Sequence, residues 1–153
     1  WSLLMDCDML RRSDIAKLAA LAERSPDKAV LVCKHDYTRG LARKFLNQVQ
    51  TVYPRKNWSS MMLLNCAKMT AWTKEAVDTQ SPAWLHRFAA VPDDKIGEIP
   101  KTWNTLDWYD QTTKLVHYTE GGPWFERCKD HPYGAIWFKY RDEMLAAQGA
   151  ARP

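Results

Sequence analysis

The sequence predicts an α/β fold, in which a sheet carries helices packed on its faces. Short apolar runs of strand length alternate along the chain with longer stretches that show helical spacing, and polar residues follow most of the runs. The apolar fraction of 46% and the charged fraction of 26% are those of a folded globular chain. A length of 153 residues fits one domain, so we expect residues 1–153 to form a single domain.

The individual elements follow from apolar spacing and from the residues that begin or end helices. Ser13 or Asp14 caps the first predicted helix, which ends at Ser25 and Pro26, and Pro82 begins a later one. The predicted strands are 1–5, 29–32, 60–65, 96–99 and 114–117. The predicted helices are 15–23, 67–76, 82–88 and 133–147. Residues 37–58 form the longest predicted loop.

Composition and charge exclude several classes of protein. No apolar run reaches the roughly 18 residues of a membrane span, and the first residues lack the pattern of a secretory signal. The cysteines lie far apart without zinc-finger spacing, which favours buried, reduced thiols and a cytoplasmic location; they are Cys7, Cys33, Cys66 and Cys128. The net charge of +4 suits an anionic small ligand as well as nucleic acid, so it does not decide between them. A solvated face explains the basic residues of 39–56, so no nucleic-acid partner is expected.

Two carboxylates follow the first predicted strand. Asp6 and Asp8 are two residues apart, so in extended backbone both side chains project to one face while Cys7 projects to the other. Open α/β sheets bind ligands at the carboxyl ends of their strands, and paired carboxylate oxygens there suit Mg²⁺ or Mn²⁺. A solvated turn explains the same pair without a metal, and the spacing alone leaves both interpretations open.

A histidine ends the last predicted strand, and two glycines follow it closely. A neutral imidazole at His117 would be a third metal ligand and would favour Mn²⁺ over Mg²⁺. Gly121 and Gly122 would let backbone N–H groups approach an anion, because no Cβ obstructs them. The alternative is a tight turn next to a structural histidine.

Four segments, taken in order, resemble the nucleotide-sugar glycosyltransferases with the type-A fold, and in particular the family-8-like enzymes that include glycogenin and bacterial lipopolysaccharide glycosyltransferases. LMDCDMLRRSDI (4–15) is similar to their D-x-D segment, and NWSSMMLLNC (57–66) to their strand with an Asn-Ser-Gly-Val motif. EIPKTWN (98–104) resembles their Leu-Pro…Trp-Asn segment, and LVHYTEGGPWF (115–125) their His-x-x-Gly…Pro-Trp motif. The resemblance covers most of the chain up to about residue 140.

This resemblance implies a Rossmann-like mixed sheet flanked by helices, and it implies a role for each matched residue. Asp6, Asp8 and His117 would bind Mn²⁺ or Mg²⁺, and Gly121 and Gly122 would lie against the donor diphosphate. It would place Ser59 and Ser60 beside the donor sugar, with Trp103 and Asn104 supporting that pocket.

The chain departs from the family pattern at three places, one of which is the Asn of the Asn-Ser-Gly-Val motif, which falls at Trp58 next to Asn57. The family commonly has Lys before Pro-Trp, where this chain has Gly122. The Asp-Gln pair that many members place beneath the donor sugar falls near 84–87, and His86 and Arg87 are the polar residues there. These two side chains would stabilise negative charge on the leaving diphosphate.

The expected activity is metal-dependent transfer of a sugar from a nucleoside-diphosphate sugar, foremost a UDP-sugar, to a saccharide acceptor such as a surface polysaccharide. Because the chain opens at Trp1 in mid-strand, we expect it to be the C-terminal portion of the catalytic domain, without the nucleotide-binding half that precedes the D-x-D strand. The alternative is a catalytically inactive remnant that binds sugars or proteins.

Overall fold

The computed structural model describes residues 1–36, 43–44, 48–49 and 54–150. The strands within these residues are β1 Ser2–Met5, β2 Met9–Arg11, β3 Val30–Val32, β4 Arg43–Lys44, β5 Gln48–Val49, β6 Met61–Leu64, β7 Ile96–Glu98, β8 Thr105–Leu106 and β9 Leu115–His117. The α-helices are α1 Ala16–Glu23, α2 Lys74–Thr79, α3 Pro82–His86 and α4 Gly134–Ala150. This mixture of strands and helices confirms the α/β class.

The strands form two mixed sheets and a hairpin. The larger sheet has the order β1-β6-β3-β7, in which β6 runs antiparallel to both of its neighbours and β3 runs parallel to β7. The smaller sheet has the order β2-β9-β8, with β2 antiparallel and β8 parallel to the central β9. Strands β4 and β5 pair with each other. The chain passes from the larger sheet to the smaller one through residues 6–8, between β1 and β2.

The central strands of the larger sheet are buried on both faces. Alternate residues of β3 enter different core clusters: Leu31 belongs to one, whereas Val30 and Val32 belong to the other. The first cluster comprises Leu18, Leu31, Cys33, Met61, Leu63, Ile99, Trp103 and Leu115. It includes a residue of β9, so the smaller sheet packs against the same core. Burial on both faces explains why these strands read as unbroken apolar runs in the sequence.

Strand β1 lies at an edge of the larger sheet, although its apolar run is typical of a buried strand. Its described partner is β6 alone. Leu3 is 36% exposed and Leu4 is 44% exposed. An edge strand is covered on fewer sides than a central one, so apolar composition alone did not predict its exposure.

The prediction of a helix over 67–76 is wrong. Residues 66–72 form turns, in which the carbonyl of Asn65 accepts hydrogen bonds from the N–H groups of Lys68 and Met69. The helix in this region begins instead at Lys74, because the Thr73 side chain accepts a hydrogen bond from the N–H of Ala76 and caps it. The other predicted helices correspond to α1, α3 and α4, with bounds that differ by a few residues.

Two composition-based expectations need correction. The four cysteines are free thiols, as expected, but Cys7 and Cys66 are exposed rather than buried. In the basic stretch, Lys56 is only 6% exposed and does not belong to a solvated face. Most of this stretch, including Arg39, lies outside the described residues. None of the helices in the described part of the chain combines the length and apolarity that crossing a bilayer requires.

Candidate metal centre

The two sheets position Asp6 and Asp8 through backbone hydrogen bonds. The N–H of Asp6 donates to the carbonyl of Ser60 over 2.9 Å, next to the end of the β1–β6 ladder. The carbonyl of Asp8 accepts from the N–H of Tyr118 over 3.0 Å, next to the β2–β9 pairing. Each carboxylate is therefore held at the end of a different sheet, and the three-residue connection between the sheets carries both.

The structure brings Asp6, Asp8 and His117 together, as the sequence predicted. The Nε2 atom of His117 lies 3.2 Å from Asp8 Oδ1 and 3.8 Å from Asp6 Oδ2. One ligand atom from each of the three residues lies within 4.8 Å of the other two. His117 is 3% exposed, whereas Asp6 is exposed and Asp8 is half-buried. The cluster therefore has a buried imidazole side and a carboxylate side that faces solvent.

A buried chain of hydrogen bonds orients the imidazole of His117. The hydroxyl of Ser60 donates to the carbonyl of Asn57 over 2.7 Å, so its oxygen is left to accept from Asn104 Nδ2, which lies 2.8 Å away. This contact turns Asn104 Oδ1 toward His117 Nδ1, at 3.0 Å. An amide oxygen accepts and never donates. The proton of a neutral His117 therefore sits on Nδ1, and its Nε2 lone pair points at the two carboxylates.

This donor set fits a divalent cation. Two carboxylate oxygens and one imidazole lone pair are all electron-pair donors, and they converge on one small region. Oxygen ligands suit Mg²⁺, and the added imidazole favours Mn²⁺. The hydrogen bond from Nδ1 to Asn104 is of the kind that orients histidine ligands in metal proteins.

The two glycines after His117 have structural reasons of their own. Gly121 has a φ of 106°, a left-handed conformation that disfavours side chains, and its N–H donates to the carbonyl of Tyr118 over 3.1 Å. At Gly122, a Cβ atom would lie 1.9 Å from the indole of Trp124. The Lys that is common in the resembling family has no room at this position while Trp124 is so placed.

Asp107 holds the turn that contains these glycines. Its carboxylate accepts hydrogen bonds from the hydroxyl of Thr119 and, over 3.1 Å, from the N–H of Glu120. Asp107 itself has a φ of 55°, which places it in the left-handed region. No local pattern in the sequence marks Asp107, because its role depends on a pairing that only the β8–β9 contact creates.

The predicted donor-pocket residues divide into two groups. Trp103, Asn104 and Ser60 are at most 5% exposed, so they support the site from the core instead of presenting a surface to a ligand. Ser59 lies nearer the surface, where its hydroxyl is 2.7 Å from the Nδ1 of His86.

The two predicted catalytic residues lie at the end of α3. Both His86 and Arg87 are exposed. The carbonyl of Arg87 accepts a hydrogen bond of 2.7 Å from Arg55, a residue with a left-handed φ of 62°. The loop before β6 thus connects this helix end to the Ser60 end of the hydrogen-bond chain.

A further histidine lies near the same end of the sheets. His35 follows β3, and burial lowers its pKa to about 4, with smaller contributions from the charges of Lys101 and His117. Its backbone carbonyl accepts a hydrogen bond from the indole of Trp58 over 3.1 Å. The low pKa keeps this imidazole neutral at physiological pH.

The cluster also borders a cavity that the sequence analysis missed. The cavity has a volume of about 410 Å³ and lies against Asp6 and Asp8. Its aromatic wall consists of Tyr118, Trp124 and Phe125. The density of aromatic residues in 117–125 is a signal that was present in the sequence, but nothing there showed which rings face the carboxylates.

Fold and site together define a mixed α/β protein with a candidate divalent-metal centre between two sheets. Among known proteins, the chain is similar to Protein CDI of Arabidopsis thaliana, with 44% identity over 154 aligned residues. The alignment includes 94% of this chain but only 58% of the relative, so the chain spans somewhat more than half of that protein. No protein-family model matches the chain. No solved structure matches it either.

Proposed function

We propose that this chain belongs to a metal-dependent glycosyltransferase of the type-A, family-8-like class, which moves a sugar from a nucleoside-diphosphate sugar to a saccharide acceptor. The observation that carries the proposal is the convergence of Asp6, Asp8 and His117. In the sequence, His117 is at least 109 residues away from each of the two carboxylates. The resemblance predicted this convergence from separate motifs. Because the chain spans 58% of Protein CDI, the activity is proposed for the whole protein.

In this proposal the metal centre serves the departing diphosphate. Asp6, Asp8 and His117 hold Mn²⁺ or Mg²⁺, which when bound neutralises negative charge on the nucleoside diphosphate. Asp6 is exposed on the side where a donor approaches, while Asn104 keeps the imidazole in the tautomer that can ligate. Gly121, which has no Cβ atom, lines the cavity beside the same carboxylates.

The roles of His86 and Arg87 follow from charge. Both lie on the exposed end of α3, and the Arg87 guanidinium is positive at all physiological pH values. We assign them to stabilise negative charge on the leaving group, with Ser59 orienting the imidazole of His86 through their 2.7 Å contact.

Titration of the whole protein with Mn²⁺ and a nucleoside diphosphate tests the proposal. We expect calorimetry with UDP to show affinity that requires Mn²⁺, and electron paramagnetic resonance to show Mn²⁺ binding. The variants Asp8→Ala and His117→Ala should lose both signals. Asp78→Ala is the matched control, because Asp78 pairs with Lys74 on the exposed surface of α2.

The outcomes separate the two functions considered for this chain. Nucleotide binding that is absent in the wild type, or that persists unchanged in both site variants, would contradict a metal-dependent transferase. That result would favour a non-catalytic module that binds sugars or proteins.

A further inference from the structure

The cavity beside the candidate metal centre has a chemically mixed lining. It combines the carboxylates of Asp6 and Asp8 with the aromatic wall, in which Trp124 and Phe125 are each 38% exposed. The volume of about 410 Å³ is within the range of small-molecule sites. A ligand in this cavity would therefore meet both hydrogen-bond acceptors and aromatic faces.

The indole of Trp124 is held in place by its neighbours. Its ring lies edge-on to Tyr118, with centroids 5.6 Å apart, and tilted against Trp137, with centroids 5.4 Å apart. The backbone of Gly122 lies so close beneath the ring that no side chain would fit there. The exposed ring is thus positioned before any ligand arrives, which lowers the entropy cost of binding.

The lining residues indicate the chemistry of the ligand. No Lys, Arg or His is among the described residues that line the cavity, so a phosphate group would find no positively charged side chain in it. Carboxylates accept hydrogen bonds from hydroxyl groups, and the aromatic faces pack against C–H groups. A neutral ring with hydroxyl groups at its edge and C–H groups on its face can bind to both the carboxylates and the aromatic rings.

We propose that this cavity binds a pyranose ring of the saccharide acceptor, with Trp124 as the stacking surface; the acceptor role rests on the proposed function. The described residues of the lining include no positively charged side chain, which distinguishes this site from one for the charged diphosphate, which the metal centre would hold. Asp6 and Asp8 border both sites, and the acceptor would consequently be held next to the departing group.

Binding of neutral disaccharides to the metal-free protein tests the site directly. Lactose, maltose and cellobiose are the probes, and saturation-transfer NMR together with the shift of the Trp124 indole N–H is the readout. At least one probe should bind to the wild type. We expect Trp124→Ala to weaken that binding about tenfold, and Trp124→Phe to retain most of it because an aromatic face remains.

A second variant moves the ring without removing it. Gly122→Ala places a methyl group where the indole lies, so it should displace Trp124 and weaken disaccharide binding. Trp108→Ala is the matched control, since Trp108 is 47% exposed and lines a different cavity. Circular dichroism spectra identical to those of the wild type would show that each variant is folded.

The results also distinguish this site from the metal centre. Wild-type protein that binds none of the three disaccharides, or equal binding by Trp124→Ala and Trp108→Ala, would overturn the proposal. So would a Trp124→Ala variant that loses Mn²⁺-dependent UDP binding while keeping disaccharide binding, because the ring would then serve the donor. Failure of Mn²⁺ and UDP to bind, with disaccharide binding intact, would instead refute the transferase.

Discussion

Replacing Asn104 by Leu should remove the hydrogen bond that orients the His117 imidazole in the candidate metal centre, without changing a candidate ligand. Leu fills a similar volume but cannot accept the hydrogen bond from His117 Nδ1 or donate one to Ser60. Asn104 is completely buried, so water does not readily replace these partners. Leaving buried polar groups unsatisfied costs roughly 1–3 kcal/mol each, and we expect the free energy of unfolding to fall by about 2–4 kcal/mol.

The effect on the metal should be separable from the effect on stability. Loss of an orienting hydrogen bond to a histidine ligand typically weakens metal affinity about 10- to 100-fold. Long-range ¹H–¹⁵N NMR of the neutral His117 ring reports which nitrogen carries the proton. We expect the Nδ1–H tautomer in the wild type and a mixture of tautomers in Asn104→Leu, with correspondingly weaker Mn²⁺ binding.

Three further variants test whether the hydrogen bond from Asn104 sets the tautomer of His117. Asn104→Asp retains an oxygen that can accept from His117, so it should keep the Nδ1–H tautomer. Ser60→Ala removes the contact that turns the amide and should behave like a milder Asn104→Leu, whereas Ser59→Ala, which lies outside the chain of hydrogen bonds, should not. An Nε2–H tautomer in the wild type would refute the argument, as would Mn²⁺ affinity in Asn104→Leu equal to that in Ser59→Ala.

Two other predictions concern individual side chains. Burial, with a smaller contribution from the charge of Glu98, raises the pKa of Cys33 to about 12. Mass spectrometry after brief treatment with N-ethylmaleimide should therefore find the exposed Cys7 and Cys66 alkylated and Cys33 unmodified. Because burial lowers the pKa of His35 to about 4, the unfolded chain binds its proton more readily, and the free energy of unfolding should decrease as pH falls from about 6.5 to about 4. The loss should be about 2–3 kcal/mol larger than in His35→Gln, as measured by urea denaturation across that range; identical pH dependence in the two proteins would contradict it.

Local pattern predicted the central strands and the positions of the candidate ligands well. Strands β3, β6 and β9 are buried, so their apolar runs stand out, and the polar residues at the carboxyl ends of β1 and β9 mark where the candidate ligands lie. The carboxylates and the imidazole meet because β9 pairs with β2. Strand β2 is short and was not predicted from the sequence. Strands of two or three residues, such as β2 and β8, are too short to carry a readable alternation.

The supporting residues were harder to predict than the ligands. Ser60 was expected beside the donor sugar, with Asn104 supporting that pocket, and both lie in the core behind His117. Their role depends on contacts between residues 44 positions apart, and no local spacing encodes such a contact. The helix over 67–76 failed for a related reason, since a cap at Thr73 and the turns before it outweighed apolar composition.

The short connection between the sheets has a mechanical consequence. Residues 6–8 form the joint between β1 and β2, and their carboxylates reach across to the imidazole at the end of β9. A cation bound there would hold the two sides of that joint together. Any ligand that stiffens or tilts one sheet would then alter the positions of the carboxylates relative to the imidazole. Occupancy and rigidity would then rise together, and the melting temperature would increase with the concentration of Mn²⁺.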